Sequence, residues 1–224
     1  MKSSFFASLR ESSGEIWTDY VGHPFVSAIG SGDLPLTSFK YYLVQDYLFL
    51  IQFSRAYALA VFKSETIGQM QAAAATLFNI LDSEIDLHKN YCSDWGLTPE
   101  DLSNMPEDIA TTAYTRFVLD CGNRGDLLDL MTALVPCVVG YAEIGQNLVK
   151  PLEACDKENP FRNWIEMYSG EEYQEVSNAA VQQLQKLFDA RGGANRYKLL
   201  SSIFNQATRL EIEFWNMAWS EREG

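Results

Sequence analysis

The sequence has few histidines, few basic residues and no long apolar run, and each shortage excludes something. Lysine and arginine number 17 against 30 acidic residues, so the formal charge is −13. Nucleic acid and anionic membranes are bound through basic patches, so neither is expected as a partner. No uninterrupted apolar run approaches ~18 residues, which argues against a transmembrane helix. The opening stretch MKSSFFASLRESSGE has no continuous apolar segment of the kind a secretion signal needs, so a cytoplasmic protein is expected. Cys92, Cys121, Cys137 and Cys155 form no CxxC pair. That spacing suggests free thiols in a reducing compartment and no zinc site. Val/Ile/Thr-rich alternation with NG or DG turns is missing, and with it the signature of β-structure. No repeat and no Pro/Gly-rich linker divides the 224 residues, so residues 1–224 are read as one domain.

What is present is helical spacing of apolar residues almost everywhere. It predicts helices over about 3–20, 36–62, 66–93, 106–121, 126–150, 159–168, 172–190 and 194–220. "GHPFVSAIGSGDLP" (22–35) combines X-Pro, Gly and Asp signals and is expected to connect the first two helices. In "DWGLTPEDL" (94–102), Gly96 stops one helix, and Thr98 with Pro99 starts another element. Long helices with short links imply an all-α bundle, a fold that places its site between facing helices.

Two carboxylates interrupt the apolar stripes. Asp46 shares a helix face with Tyr42, Leu43, Phe49, Leu50 and Phe53; Glu211 shares one with Ala207, Phe214, Trp215 and Ala218. A buried carboxylate is costly without partners. Asp46 is therefore either a structural group bonded to a tyrosine or backbone, or a grip on a polar ligand. Glu211 is either half of an ion pair or, with its pKa raised by burial, a proton donor and acceptor near neutral pH.

In "LVPCVVGYAEIG" (134–145), Cys137 follows Pro136, which has no N–H and disturbs the preceding turn, and Gly140 removes bulk on the thiol's face. Most buried cysteines are small inert hydrophobes. A nucleophilic role needs a neighbouring base, a hydroxyl network or a cationic ligand to yield thiolate. Tyr114, Tyr141 and Tyr168 lie near these groups or in polar-edged segments, and such rings with two carboxylates suit a flat, nitrogen-rich cation. Glu84 and His88 stand at i,i+4, a spacing that can ligate metal. A di-iron bundle needs a second such set, however, and the other histidine, His23, precedes Pro24, so no metal is expected.

Five segments in order, "HPFVSAIGSGDLP", "YYLVQDYLFL", "ALVPCVVGYAEIG", "NPFRNWIEMYSG" and "EIEFWNMAW", make the chain similar to the TenA/thiaminase II family from residue 23 to 219. The resemblance implies a haem-oxygenase-like bundle without haem, usually a homotetramer, that needs no cofactor. It further implies hydrolysis of 4-amino-5-aminomethyl-2-methylpyrimidine to the 5-hydroxymethyl compound and ammonia, with thiamin cleaved as well by many members. On that resemblance Cys137 matches the nucleophile, Glu211 the carboxylate exchanging a proton with a ring nitrogen, and Asp46 the grip on the aminopyrimidine edge. Tyr114, Tyr141 and Tyr168 match pocket tyrosines, and Phe214 the aromatic that packs on the ring. The chain departs from many members at Phe49, where they carry tyrosine; Tyr47, about 100° around the helix from Asp46, is a poor substitute. Cys137 places it in the cysteine-containing branch. Two other readings of the bundle are a metal- or haem-dependent oxidase and a non-catalytic binder of pyrimidines or thiamin.

Overall fold

Helix starts in this chain coincide with polar side chains able to take up an unpaired backbone N–H. In the computed structural model, which describes residues 4–154 and 158–220, Ser4 caps α1 (Phe5–Ser13) by accepting from the N–H of Ala7. His23 caps α3 (Pro24–Ser31), Thr66 caps α5 (Ile67–Asn79) and Asp108 caps α8 (Ile109–Arg124). Thr98 and Asp101 form a reciprocal capping box on α7 (Pro99–Asn104), with Pro99 in the first turn. The remaining helices are α2 (Glu15–Val21), α4 (Leu36–Lys63), α6 (Ile85–Asp94), α9 (Leu127–Ala154), α10 (Arg162–Ser169), α11 (Glu171–Arg191) and α12 (Ala194–Ser220). No strand occurs among the described residues, as expected of an all-α bundle. Cys155 lies outside the described residues.

Three expectations are revised. The first long helix is two, because Gly14 adopts a positive φ of 55° between α1 and α2. The presumed connector at 22–35 contains α3, since His23 and Pro24 are a helix start rather than a loop, and Gly32 ends it in the left-handed region. The helix expected over 66–93 is interrupted by one π-helical turn, Ile80–Glu84, joining α5 to α6.

α9 is flanked by α10, α11 and α12, and α4 by α5, α8 and α12. Polar residues such as Asp129 and Glu143 break its apolar run, yet Leu127–Glu153 is long and apolar enough to cross a membrane; 94% of its most apolar stretch is buried in the bundle. Apolar on every side is what a helix surrounded by helices requires. At its far side, Gly145 lies against the backbone of α10. A Cβ there would stand 2.5 Å from the carbonyl carbon of Tyr168 and 2.6 Å from the nitrogen of Ser169. Arg196 at the start of α12 bonds Asp126 and Asp129, tying α12 to the start of α9.

Candidate active site

A cavity of about 300 Å³ opens between α4, α9, the α5–α6 segment and the α10–α11 turn. It lies at the small end of the range typical for small-molecule sites, ~300–1,000 Å³. Its lining includes Asp46, Phe49 and Phe53 from α4, Cys137 and Tyr141 from α9, Glu84 from the π turn, and Tyr168 and Tyr173. Helical periodicity explains the first five: 46, 49 and 53 follow i, i+3, i+7, and 137 and 141 are one turn apart.

Asp46 is almost fully buried. Its Oδ2 accepts from the Tyr42 hydroxyl at 2.9 Å and from Nε2 of His88 at 2.7 Å. The Nδ1 of His88 sits 2.7 Å from the carbonyl oxygen of Glu84. With an acceptor on each ring nitrogen, His88 is held as an imidazolium. Burial opposes that charge, but the Asp46 hydrogen bond and charge outweigh it and raise the histidine's pKa. Tyr42 in turn accepts from the indole N–H of Trp164 at 3.2 Å and lies 3.3 Å from the Tyr141 hydroxyl. The network converges on one carboxylate oxygen, which leaves Oδ1 of Asp46 for a ligand. Asp46 is thus both an anchored structural group and a grip; the alternatives read from the sequence were not exclusive. Glu84 and His88 also meet differently from a metal pair, through the Glu84 carbonyl rather than its carboxylate.

Glu211, Tyr114 and Phe214 sit one layer behind the lining. The Tyr114 hydroxyl donates to Oε1 of Glu211 at 2.7 Å. Among the described residues no cation pairs with Glu211. Burial, with Asp46 adding to it, pushes its carboxyl up to about 8 against the hydrogen bond from Tyr114. Burial likewise pushes the Cys137 thiol well up, and the carboxylates of Glu211, Glu84 and Asp46 push it further. The thiol and the Glu211 carboxyl each act on the other's pKa, which sets them close together. Phe49 packs its ring on Tyr114 at 5.0 Å and on Phe214 at 5.6 Å, closing the cavity floor over that rear layer. Tyr47 faces away, with its hydroxyl 3.4 Å from Ser103. Tyr141 and Tyr168 meet edge-on at 4.9 Å, and Tyr168 meets Tyr173 at 4.8 Å. Gly140 makes room for the Tyr20 ring, which a Cβ would overlap, and not for the thiol.

His88, Tyr42, Trp164 and Glu84 had not been assigned to the site from the sequence. Tyr42 had a signal, its i−4 spacing from Asp46; the His88 contact spans 42 residues and had none. His23 spends its Nδ1 on the α3 cap and its Nε2 on Asn216.

Comparison with known proteins completes the picture. The model of a family described as TENA/THI-4/PQQC matches residues 10–221. An aminopyrimidine aminohydrolase of Halalkalibacterium halodurans is 37% identical, over 98% of this chain and 97% of its own. A solved structure from Silicibacter sp. TM1040, described as a TenA family transcription regulator, superposes with a TM-score of 0.91 at 40% identity, covering 97% of each chain. A Shewanella denitrificans domain described as having a heme oxygenase-like fold superposes at 0.74 with 10% identity, covering 97% of this chain and 93% of its own, and speaks to the fold alone.

Proposed function

The chain belongs to the TENA/THI-4/PQQC family, and from that membership and the cavity's geometry we propose that it hydrolyses 4-amino-5-aminomethyl-2-methylpyrimidine to the 5-hydroxymethyl compound and ammonia, a step of thiamin salvage, with thiamin as a further substrate. The observation that carries the reading is a buried thiol, Cys137, lining the same cavity as Asp46, whose Oδ2 alone is taken up by Tyr42 and His88, with the raised carboxyl of Glu211 behind that lining.

An aminopyrimidine is a poor electrophile until a ring nitrogen is protonated. Glu211 takes the Cys137 proton and delivers one to that nitrogen while sulfur bonds the adjacent carbon, so no free thiolate accumulates. Asp46 Oδ1 accepts from the ring amine, whose electron pair then expels ammonia from the exocyclic carbon. Water adds there, losing a proton. The ring nitrogen returns its proton through Glu211 as sulfur departs. For Glu211 to reach the ring, the pyrimidine presses into the Phe49 floor, which brings Tyr114 and Phe214 against it. Tyr141 and Tyr168 supply further aromatic walls.

The protein's own side chains supply each of these steps, so the reading calls on no metal or cofactor. It is a cytoplasmic, single-domain enzyme working as a homotetramer. Phe62 and Ile109, 83% and 86% exposed, are apolar surface that subunit contacts would cover. The charge of −13 speaks against nucleic acid or membrane partners.

Ammonia release from the aminopyrimidine, run beside thiamin, tests the reading with wild type and Cys137→Ser. Wild type is expected to release ammonia, and the variant to bind but lose turnover by several orders of magnitude. Equal turnover would remove Cys137 as nucleophile; no reaction of wild type with either compound would overturn the function.

A further inference from the structure

The mechanism above leaves one lining carboxylate unused. Glu84 is the last residue of the π turn, and it lines the cavity with Ile80, while His88, one turn on, is buried against Asp46. In a regular α-helix, residues four apart advance ~40° around the axis, and positions 76, 80, 84 and 88 would spiral away from one face. The π turn holds one more residue per turn and offsets that drift. Thr76, Ile80 and Glu84 therefore all line the cavity while His88 still meets Asp46. Single π turns recur at functional sites for this reason.

Among the described residues no hydrogen bond reaches the Glu84 carboxylate. Burial, and then the Asp46 charge, raise its pKa to about 7 although His88 lies close by. Its charge acts on Cys137, Tyr168 and Tyr173, with which it shares the cavity lining. That mouth carries Glu166, Glu171 and Glu172, all exposed, and neither lysine nor arginine lines the cavity. In the reading proposed above, the ring's exocyclic substituent points away from Asp46 toward Glu84 and the acidic rim.

We propose that Glu84, set into the cavity by the π turn, is the specificity-determining residue for the leaving group, pairing with a cationic substituent on the pyrimidine's exocyclic carbon. The inference rests on the hydrolase reading and adds its substrate class: pyrimidines whose leaving group carries positive charge, such as an ammonium or a thiazolium, in preference to neutral or anionic ones.

The test measures binding of the aminomethyl and hydroxymethyl pyrimidines to Cys137→Ser, with and without Glu84→Gln, by calorimetry. The hydroxymethyl compound shares the ring but has no charge. Losing one partner of a buried charge pair costs about thirtyfold or more in affinity. Glu84→Gln should therefore weaken the aminomethyl compound by that factor and change the hydroxymethyl compound less than about threefold. Equal weakening of both, as from a distorted wall, or no weakening of either overturns the assignment. Glu84→Asp, which keeps the charge, should restore part of the discrimination; a variant that discriminates no better than Glu84→Gln also counts against it. The hydrolase reading fails separately, through the absence of ammonia release by wild type.

Discussion

Replacing Glu211 by glutamine should make the protein more stable, by an amount that depends on pH. The wild-type carboxyl is raised from 4.5 to about 8 because burial penalises its charged form. A group whose folded pKa is raised contributes stability that is present below the unfolded pKa and is lost as pH climbs to the folded one. The loss runs at about 1.4 kcal/mol per pH unit across that window. Glutamine cannot ionise, and its oxygen still accepts from Tyr114, which now bonds Oε1 at 2.7 Å. At pH 5 the two proteins should unfold at nearly the same urea concentration. By pH 8 the variant should be ahead by about 4 kcal/mol. Urea titrations at half-unit steps, followed by tryptophan fluorescence at one fixed protein concentration, measure the difference directly. Activity should be lost at every pH in the same variant. A stability difference that stays flat, or that turns against the variant as pH rises, would mean that Glu211 has a cationic partner and is not held protonated by burial.

Other substitutions test the supports of the cavity. His88→Leu removes the cation buried against Asp46 and should cost about 3–5 kcal/mol in urea unfolding, because the carboxylate is left unpaired; a loss under 1 kcal/mol would mean that the pair is not ionised. Gly145→Ala forces a Cβ onto the α10 backbone and should cost about 1–3 kcal/mol. It should also weaken pyrimidine binding by moving Tyr168, and unchanged binding would separate that glycine from the site. Phe49→Tyr adds a hydroxyl to the cavity floor and should change the ratio of aminopyrimidine to thiamin hydrolysis; an identical ratio would make the departure at 49 neutral.

The helices were legible because burial repeats every 3.6 residues, and that same period exposed Asp46 and Glu211 as carboxylates on apolar stripes. The phase of the segment after residue 80 was not legible. A π turn leaves the composition of the segment unchanged and shifts only its rotation, so the i,i+4 spacing of Glu84 and His88 did not reveal one as a cavity wall and the other as an anchor. The α10–α9 contact was hidden for a related reason: Gly145 sits in an ordinary helical position, and only the close approach of Tyr168 gives it meaning. Pro24 was misjudged locally, since a proline after a possible cap starts a helix as readily as it ends one.

The raised carboxyls of Glu211 and Glu84 have a consequence for how the cavity meets its guest. Near neutral pH Glu211, at about 8, keeps its proton while Glu84, at about 7, is divided between its two forms. These two carboxyls therefore carry less than their full negative charge. A cation entering the cavity creates the field that favours ionisation, and protons leave as it arrives. Binding then becomes an exchange, one cation in and hydrogen ions out. The heat of association would vary with the ionisation enthalpy of the buffer, and a guest would be held more tightly as the solution turned alkaline.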